Sequence, residues 1–245
     1  MRSLEPDSFK ACHFSQAETM EHNSYKTIEK SQNSGRFRTD SWLSERDANL
    51  LLRKRASLEA SRKNYSNAIS ILDRLTVYEP DNADHFANRG LMHYNLRQYP
   101  QALVDYNRAI EIDPELGRAY SNRANLYATQ QNWAAAIADY EQAIDLNPLN
   151  IRARINQAIT LREMGRYEVT LDCLDIALFL RPNSPALYAE RGRTYQLMGK
   201  WHEAMSDYTT ARKLIPATDL FQSDSTKSEE LVRINSRVLR WMHHL

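Results

Sequence analysis

From about residue 49 onward the apolar positions fall at helical spacing, and they do so in blocks that repeat. The blocks run 49–82, 83–116, 117–150, 151–184 and 185–218. Small residues dominate position 8 (Ala56, Gly90, Ala124, Ala158, Gly192), position 20 (Ala68, Ala102, Ala136, Thr170, Ala204) and position 27 (Leu75, Ala109, Ala143, Ala177, Ala211). Aromatic residues hold position 17 (Tyr65, Tyr99, Trp133, Tyr167, Trp201), and position 24 carries Leu72, Tyr106, Tyr140, Leu174 and Tyr208. Position 32 is always proline: Pro80, Pro114, Pro148, Pro182 and Pro216, 34 residues apart. Two helices fit each block, A over about positions 1–14 and B over about positions 17–30. Proline ends B because it lacks an N–H and biases the preceding residue away from the α region. Polar neighbours such as Asp113, Glu115, Asn147, Asn150, Asn183 and Ser184 suit the turn and cap the next helix. The small residues let the helices of one hairpin approach, and larger residues at positions 4, 17, 21, 24 and 30 fill the seam to the next. Such a hairpin buries its apolar face only by stacking on a neighbour, so the predicted class is all-α, an α-solenoid.

Those small, aromatic and proline positions resemble the tetratricopeptide repeat, whose period is about 34 residues. The resemblance covers residues 49–218, about 70% of the chain. It departs at position 4, where the family favours Trp and this chain has Leu52, Phe86, Tyr120, Arg154 and Tyr188. It departs again at position 7, where the family favours Leu and this chain has Arg55, Arg89, Arg123, Gln157 and Arg191. The resemblance implies five hairpins in a right-handed superhelix, with a concave face lined by helix A and open to a partner's peptide or helix. The Asn88-Arg89-Gly90 and Asn122-Arg123-Ala124 runs and the Asp-Tyr pairs of helix B are most similar to bacterial arrays, cyanobacterial ones included. By analogy alone, such arrays suggest a scaffold, adaptor or assembly factor, with membrane or photosynthetic complexes as one setting.

Position 7 has its own logic. Arg89, Arg123 and Arg191 share a block with Asp105, Asp139 and Asp207 at position 23, and where Gln157 replaces the arginine Cys173 replaces the aspartate. The covariation predicts an Arg–Asp pair across each of three hairpins.

The concave face is read, through the family resemblance, at positions 2, 5, 6, 9, 12 and 13. Asn88, Asn122 and Asn156 make a ladder at position 6, with Asn95 and Asn125 beside it. Basic groups are Arg53, Lys54, Arg118, Arg152, Arg162 and Arg193, against Asp84, Glu163 and Glu190; the apolar groups are Leu91, Tyr94, Ile155 and Ile159. Asparagine both donates and accepts, so such a row suits the backbone of an extended segment, and the basic excess favours acidic side chains. The carboxylate clamp of some family co-chaperones is only partly matched: Asn88 fits, Arg53 and Arg118 keep charge alone, and Ser57 and Asn122 do not fit.

Other chemistry is thin. The chain of 245 residues has a net charge of +1, which exerts no global pull on nucleic acid or membrane. Cys12 and Cys173 make no disulfide framework, and the histidines show no metal-ligand spacing, so neither cofactor nor metal is expected. No phosphate loop, nucleophile elbow or paired-carboxylate site is recognisable, which argues against an enzyme. Base-stacking aromatics are scarce, Tyr94 being the main candidate, which argues against nucleic acid. No apolar stretch spans a bilayer, so a cytoplasmic protein is expected, with membrane association only through a partner. Residues 1–43 read as a polar tail, disordered or docking, ahead of the repeats in 44–218. Residues 219–245 read as a linker and a capping helix with Leu231, Ile234, Val238, Trp241 and Leu245 on one face and Arg233, Arg237, Arg240 and His243 on the other.

Overall fold

The computed structural model describes residues 44–215 and 226–243. Among them are eleven helices and no strand: α1 (Glu45–Ser61), α2 (Tyr65–Tyr78), α3 (Ala83–Asn95), α4 (Tyr99–Ile112), α5 (Gly117–Thr129), α6 (Trp133–Leu146), α7 (Ile151–Glu163), α8 (Tyr167–Leu180), α9 (Pro185–Leu197), α10 (Trp201–Lys213) and α11 (Thr226–Met242). The expected tail at 1–43 and Pro216 lie outside the described residues.

Helix ends are fixed locally. Ser44, Asn82 and Asn150 cap α1, α3 and α7 by accepting the N–H groups of Asp47, Asp84 and Ala153, each at 3.1 Å. At the other ends, Glu79, Asp113, Asn147 and Arg181 each return an N–H to the position-27 carbonyl, and the next residue is proline, which cannot continue the ladder. Between A and B the chain turns through a left-handed residue at position 15: Lys63, Arg97, Gln131, Gly165 and Gly199, with φ between 60° and 76°. The following residue donates to the carbonyl five back at 2.9 Å in every hairpin, and the left-handed residue to the carbonyl three back. This is the Schellman closure, in which glycine avoids a steric penalty that three of the five residues here accept.

Packing follows the small positions. Ala68, Ala102, Ala136, Thr170 and Ala204 are fully buried, as are Leu75, Ala109, Ala143, Ala177 and Ala211. At Gly90 and Gly192 the approach is closest, since a Cβ there would lie 2.8 Å from the rings of Tyr106 and Tyr208. Each helix packs on its sequence neighbours, and α3, α5, α7 and α9 also touch in succession. The A helices therefore form one wall, and the B helices lie outside it. At the end of the array α11 lies against both α9 and α10, burying Leu231, Ile234 and Val238 beside Ala189, Ala204, Tyr208 and Ala211.

Two polar devices bind hairpin to hairpin. Arg89 grips Asp105 with Nε and Nη2 at 2.9 and 2.6 Å and reaches back with Nη1 to Asp73 of the preceding hairpin at 2.9 Å. Arg123 holds Asp139 and Asn107 in the same way, and Arg191 holds Asp207 and Asp175. The guanidiniums also lie over the position-4 rings of Phe86, Tyr120 and Tyr188, 5.5 to 5.7 Å from their centroids. An aromatic ring at position 4 thus suits an arginine at position 7. In the fourth hairpin Cys173 Sγ lies 3.9 Å from Gln157 Oε1, so no charge is left unpaired there. The second device is Glu79, which joins α1 to α3 by accepting from Asn49 at 3.0 Å, Asn82 at 3.2 Å and Arg53, with His85 Nε2 at 2.6 Å. Partial burial pushes this carboxyl up, but His85, Arg53 and Asn49 outweigh it and hold it at about 2.

Three outcomes follow. Arg89→Ala strands the buried Asp105 and lowers unfolding free energy by about 3 kcal/mol in a denaturant titration; an unchanged midpoint would remove the fork as a stabilising element. Arg97→Gly relieves a left-handed side chain at some entropic cost and stabilises by about 0.5–1 kcal/mol, read as a higher urea midpoint. Glu79 has a depressed folded value, so its contribution is complete above its unfolded value of about 4.3 and is lost as pH falls through about 2. The stability gap between the native chain and Glu79→Gln should therefore close as pH drops from 6 to 2, and a gap independent of pH would contradict this.

Candidate functional site

The wall of A helices is open at one end and closed at the other. Asn88, Asn122 and Asn156 occupy the same position of α3, α5 and α7, but their surroundings differ. Asn156 Nδ2 donates to Asn125 Oδ1 at 2.9 Å, and the Tyr140 hydroxyl donates to the same oxygen at 2.7 Å. Asn88 and Asn122 are half-buried and make no side-chain hydrogen bond among the described residues. The cause lies at position 9, where the third hairpin has Asn125 and the first two have Ser57 and Leu91. For the same reason the Tyr106 hydroxyl, unlike that of Tyr140, is buried with no partner among the described residues.

The remaining expected groove residues divide sharply. Leu91 and Ile159 are 7% and 3% exposed, and both pack in the core. Reading them as partner-facing is therefore corrected: position 9 is shared between wall and core, and apolar side chains there turn inward. Ile155 is partly buried between two hairpins. Tyr94 ties α3 to α5, its hydroxyl 2.8 Å from Thr129 Oγ1 and its ring 5.8 Å from that of Tyr99, so it does not offer a free stacking face. Lys54 and Arg152 are exposed. Arg53 pairs with Glu79 and Arg118 with Asp84, and both arginines remain largely exposed. A cavity of about 120 Å³ between α1, α2 and α3 is lined by Arg53, Ser57, Asn88 and Met92, among others.

Toward α9 the wall is covered. Arg162, Glu190 and Arg193 were expected in the open groove; instead α11 lies over them. Arg162 Nη1 donates to Glu190 Oε2 at 2.8 Å, and Arg237 of α11 pairs with Glu190 Oε1. Burial alone would raise the Glu190 carboxyl, but Arg237 and Arg162 hold it below the usual carboxylate range. Gln196 Nε2 donates to the Trp241 carbonyl at 3.0 Å, while its Oε1 accepts from Tyr208 at 3.0 Å and Arg193 at 2.9 Å. The guanidiniums of Arg193 and Arg237 both lie over the Trp241 ring, 5.6 and 4.7 Å from its centroid. Arg237 is thus not on the solvated back of α11, where the helical pattern puts it. Arg237, Trp241 and Gln196 were missed as wall residues, although Arg237 and Trp241 stand at i and i+4, where helical side chains meet.

No helix among the described residues is long and apolar enough to cross a membrane. No curated protein matches the chain in sequence. Among solved structures it is similar to "MamA 41-end from Desulfovibrio magneticus RS-1", with a TM-score of 0.60 and 16% identity over 69% of this chain and 95% of that one. It is also similar to "MamA MSR-1 C2", with a TM-score of 0.55 and 21% identity over 68% and 96%. At such identities these likenesses speak for the fold alone. Family models described as tetratricopeptide repeat match residues 52–121 and 117–150. The period, the hairpins and these two matches agree over residues 52–150, which are tetratricopeptide repeats.

Proposed function

We propose that this protein is a non-catalytic scaffold or adaptor that holds an extended segment of a partner protein against the open half of the wall, α1, α3 and α5. The observation that carries this reading is the pair of unspent carboxamides, Asn88 and Asn122, set on a rigid wall where their counterpart Asn156 is already satisfied. A carboxamide presents a donor and an acceptor in one plane and so fits a peptide group whatever side chain it bears. Lys54, Arg53, Arg118 and Arg152 around them favour acidic residues in that segment. The exposed pairs Arg53–Glu79 and Arg118–Asp84 do not prevent this, because a surface ion pair is worth about 0–1 kcal/mol and exchanges partners cheaply. Single-stranded nucleic acid fits less well, since Tyr94, the aromatic best placed to stack a base, is engaged with Tyr99 and Thr129.

The competing surface is that of the B helices, where Phe179, Val77 and Val104 are 86%, 76% and 67% exposed. Affinity capture with the native chain, Asn122→Ala/Arg152→Glu and Phe179→Asp separates the two. The inner-wall variant should lose at least about tenfold of each captured partner, equivalent to about 1.4 kcal/mol, while Phe179→Asp keeps them. Retention by a folded inner-wall variant, with loss by Phe179→Asp, would move the binding surface to the B helices.

A further inference from the structure

The section of wall under α11 is built to receive a helix, and its resident shows the chemistry it accepts. Glu190 is 3% exposed and takes an arginine from each side, Arg162 of α7 and Arg237 of α11. One turn on, Arg193 and Gln196 receive the Trp241 ring and carbonyl. Leu231, Ile234 and Val238 complete the seam. The two polar anchors of α11 are thus an arginine and, four residues later, a tryptophan.

The charges are divided in a way that allows α11 to leave. Arg162 and Glu190 both belong to the repeats and pair with each other directly at 2.8 Å, so this contact does not depend on α11. Arg237 is about a third exposed and returns to water easily. Departure of α11 therefore strands no buried carboxylate, the usual reason a buried pair resists opening. Residues 214–225 connect α10 to α11, so a released helix stays covalently attached to the array.

We propose that the α7–α9 wall is a second docking surface, specific for a basic amphipathic helix with arginine four residues ahead of tryptophan, and that α11 is its tethered competitor. The proposal rests on reading the inner wall as the partner surface, and extends that surface toward the C-terminal end. A tether of this kind gives α11 an effective concentration of about 1 mM, so an external helix succeeds only if it binds more tightly or also engages the open half.

The probe is a fluorophore-labelled peptide of residues 226–245, followed by anisotropy against two full-length chains, native and Val238→Asp/Trp241→Ala. The variant loses the apolar centre and the ring of its own α11 and leaves the repeats untouched. The peptide should bind the variant at least about tenfold more tightly than the native chain, because the competitor has been weakened. An R237E peptide should bind neither. Equal binding to both chains, equal binding of the R237E peptide, or no binding to a folded variant at about 1 mM overturns the proposal. Should the variant fail to fold, hydrogen exchange on the native chain decides instead. Amides of α11 should exchange well before those of α9 and α10, whereas exchange only through global unfolding would make α11 a permanent cap. The Asn122→Ala/Arg152→Glu capture reports on the open half, so failure there is distinguishable from failure here.

Discussion

A two-helix hairpin has a core only on loan from its neighbours, and that constraint shapes every seam in this molecule. The side chains at positions 20 and 27 are alanine in all but Thr170 and Leu75, so that helices within a hairpin touch, while Tyr106, Tyr140 and Tyr208 carry the packing outward. Burying aspartates at those seams would normally be costly. Here the cost is offset because each arginine spends two donors on its own hairpin and a third on the hairpin before it. The fork therefore acts between repeats as well as within them. A purely nearest-neighbour array gains cooperativity from such contacts, since losing one hairpin leaves its successor with an exposed apolar flank and a guanidinium short of one of its three contacts.

What could be read beforehand was whatever sterics force on a residue type. Prolines every 34 residues and alanines at the close contacts are such marks, and the fold follows from them. The left-handed residue at position 15 was not legible, because Lys63, Arg97 and Gln131 tolerate it without announcing it as glycine does. The groove was legible only in part. Position 9 lies on the border of two faces, so Asn125 joins the polar wall while Leu91 turns to the core of the first hairpin. Arg237 shows the opposite failure: a helical pattern places it among solvated charges, and only the fold reveals a buried carboxylate across from it. Periodicity identifies faces, but the destination of a borderline side chain depends on its neighbour in another repeat.

The two ends of the wall consequently use charge differently. Near α1 and α3 the arginines are largely exposed, and their own partners, Glu79 and Asp84, belong to the same surface. Attraction there is screened within about 8 Å at physiological ionic strength, so for the acidic segment proposed above it would set the rate of arrival more than the final position. Position has to come from uncharged contacts, which is the part that Asn88 and Asn122 are suited to play. Near α9 the charges are dry, and geometry dominates. Glu190 accepts from two directions, leaving room for a guanidinium but not for a second carboxylate. On the reading proposed above, an acidic segment held at the first end would meet increasing penalty as it runs toward the second, which would give the wall a direction that neither its symmetry of fold nor its near-neutral total charge suggests.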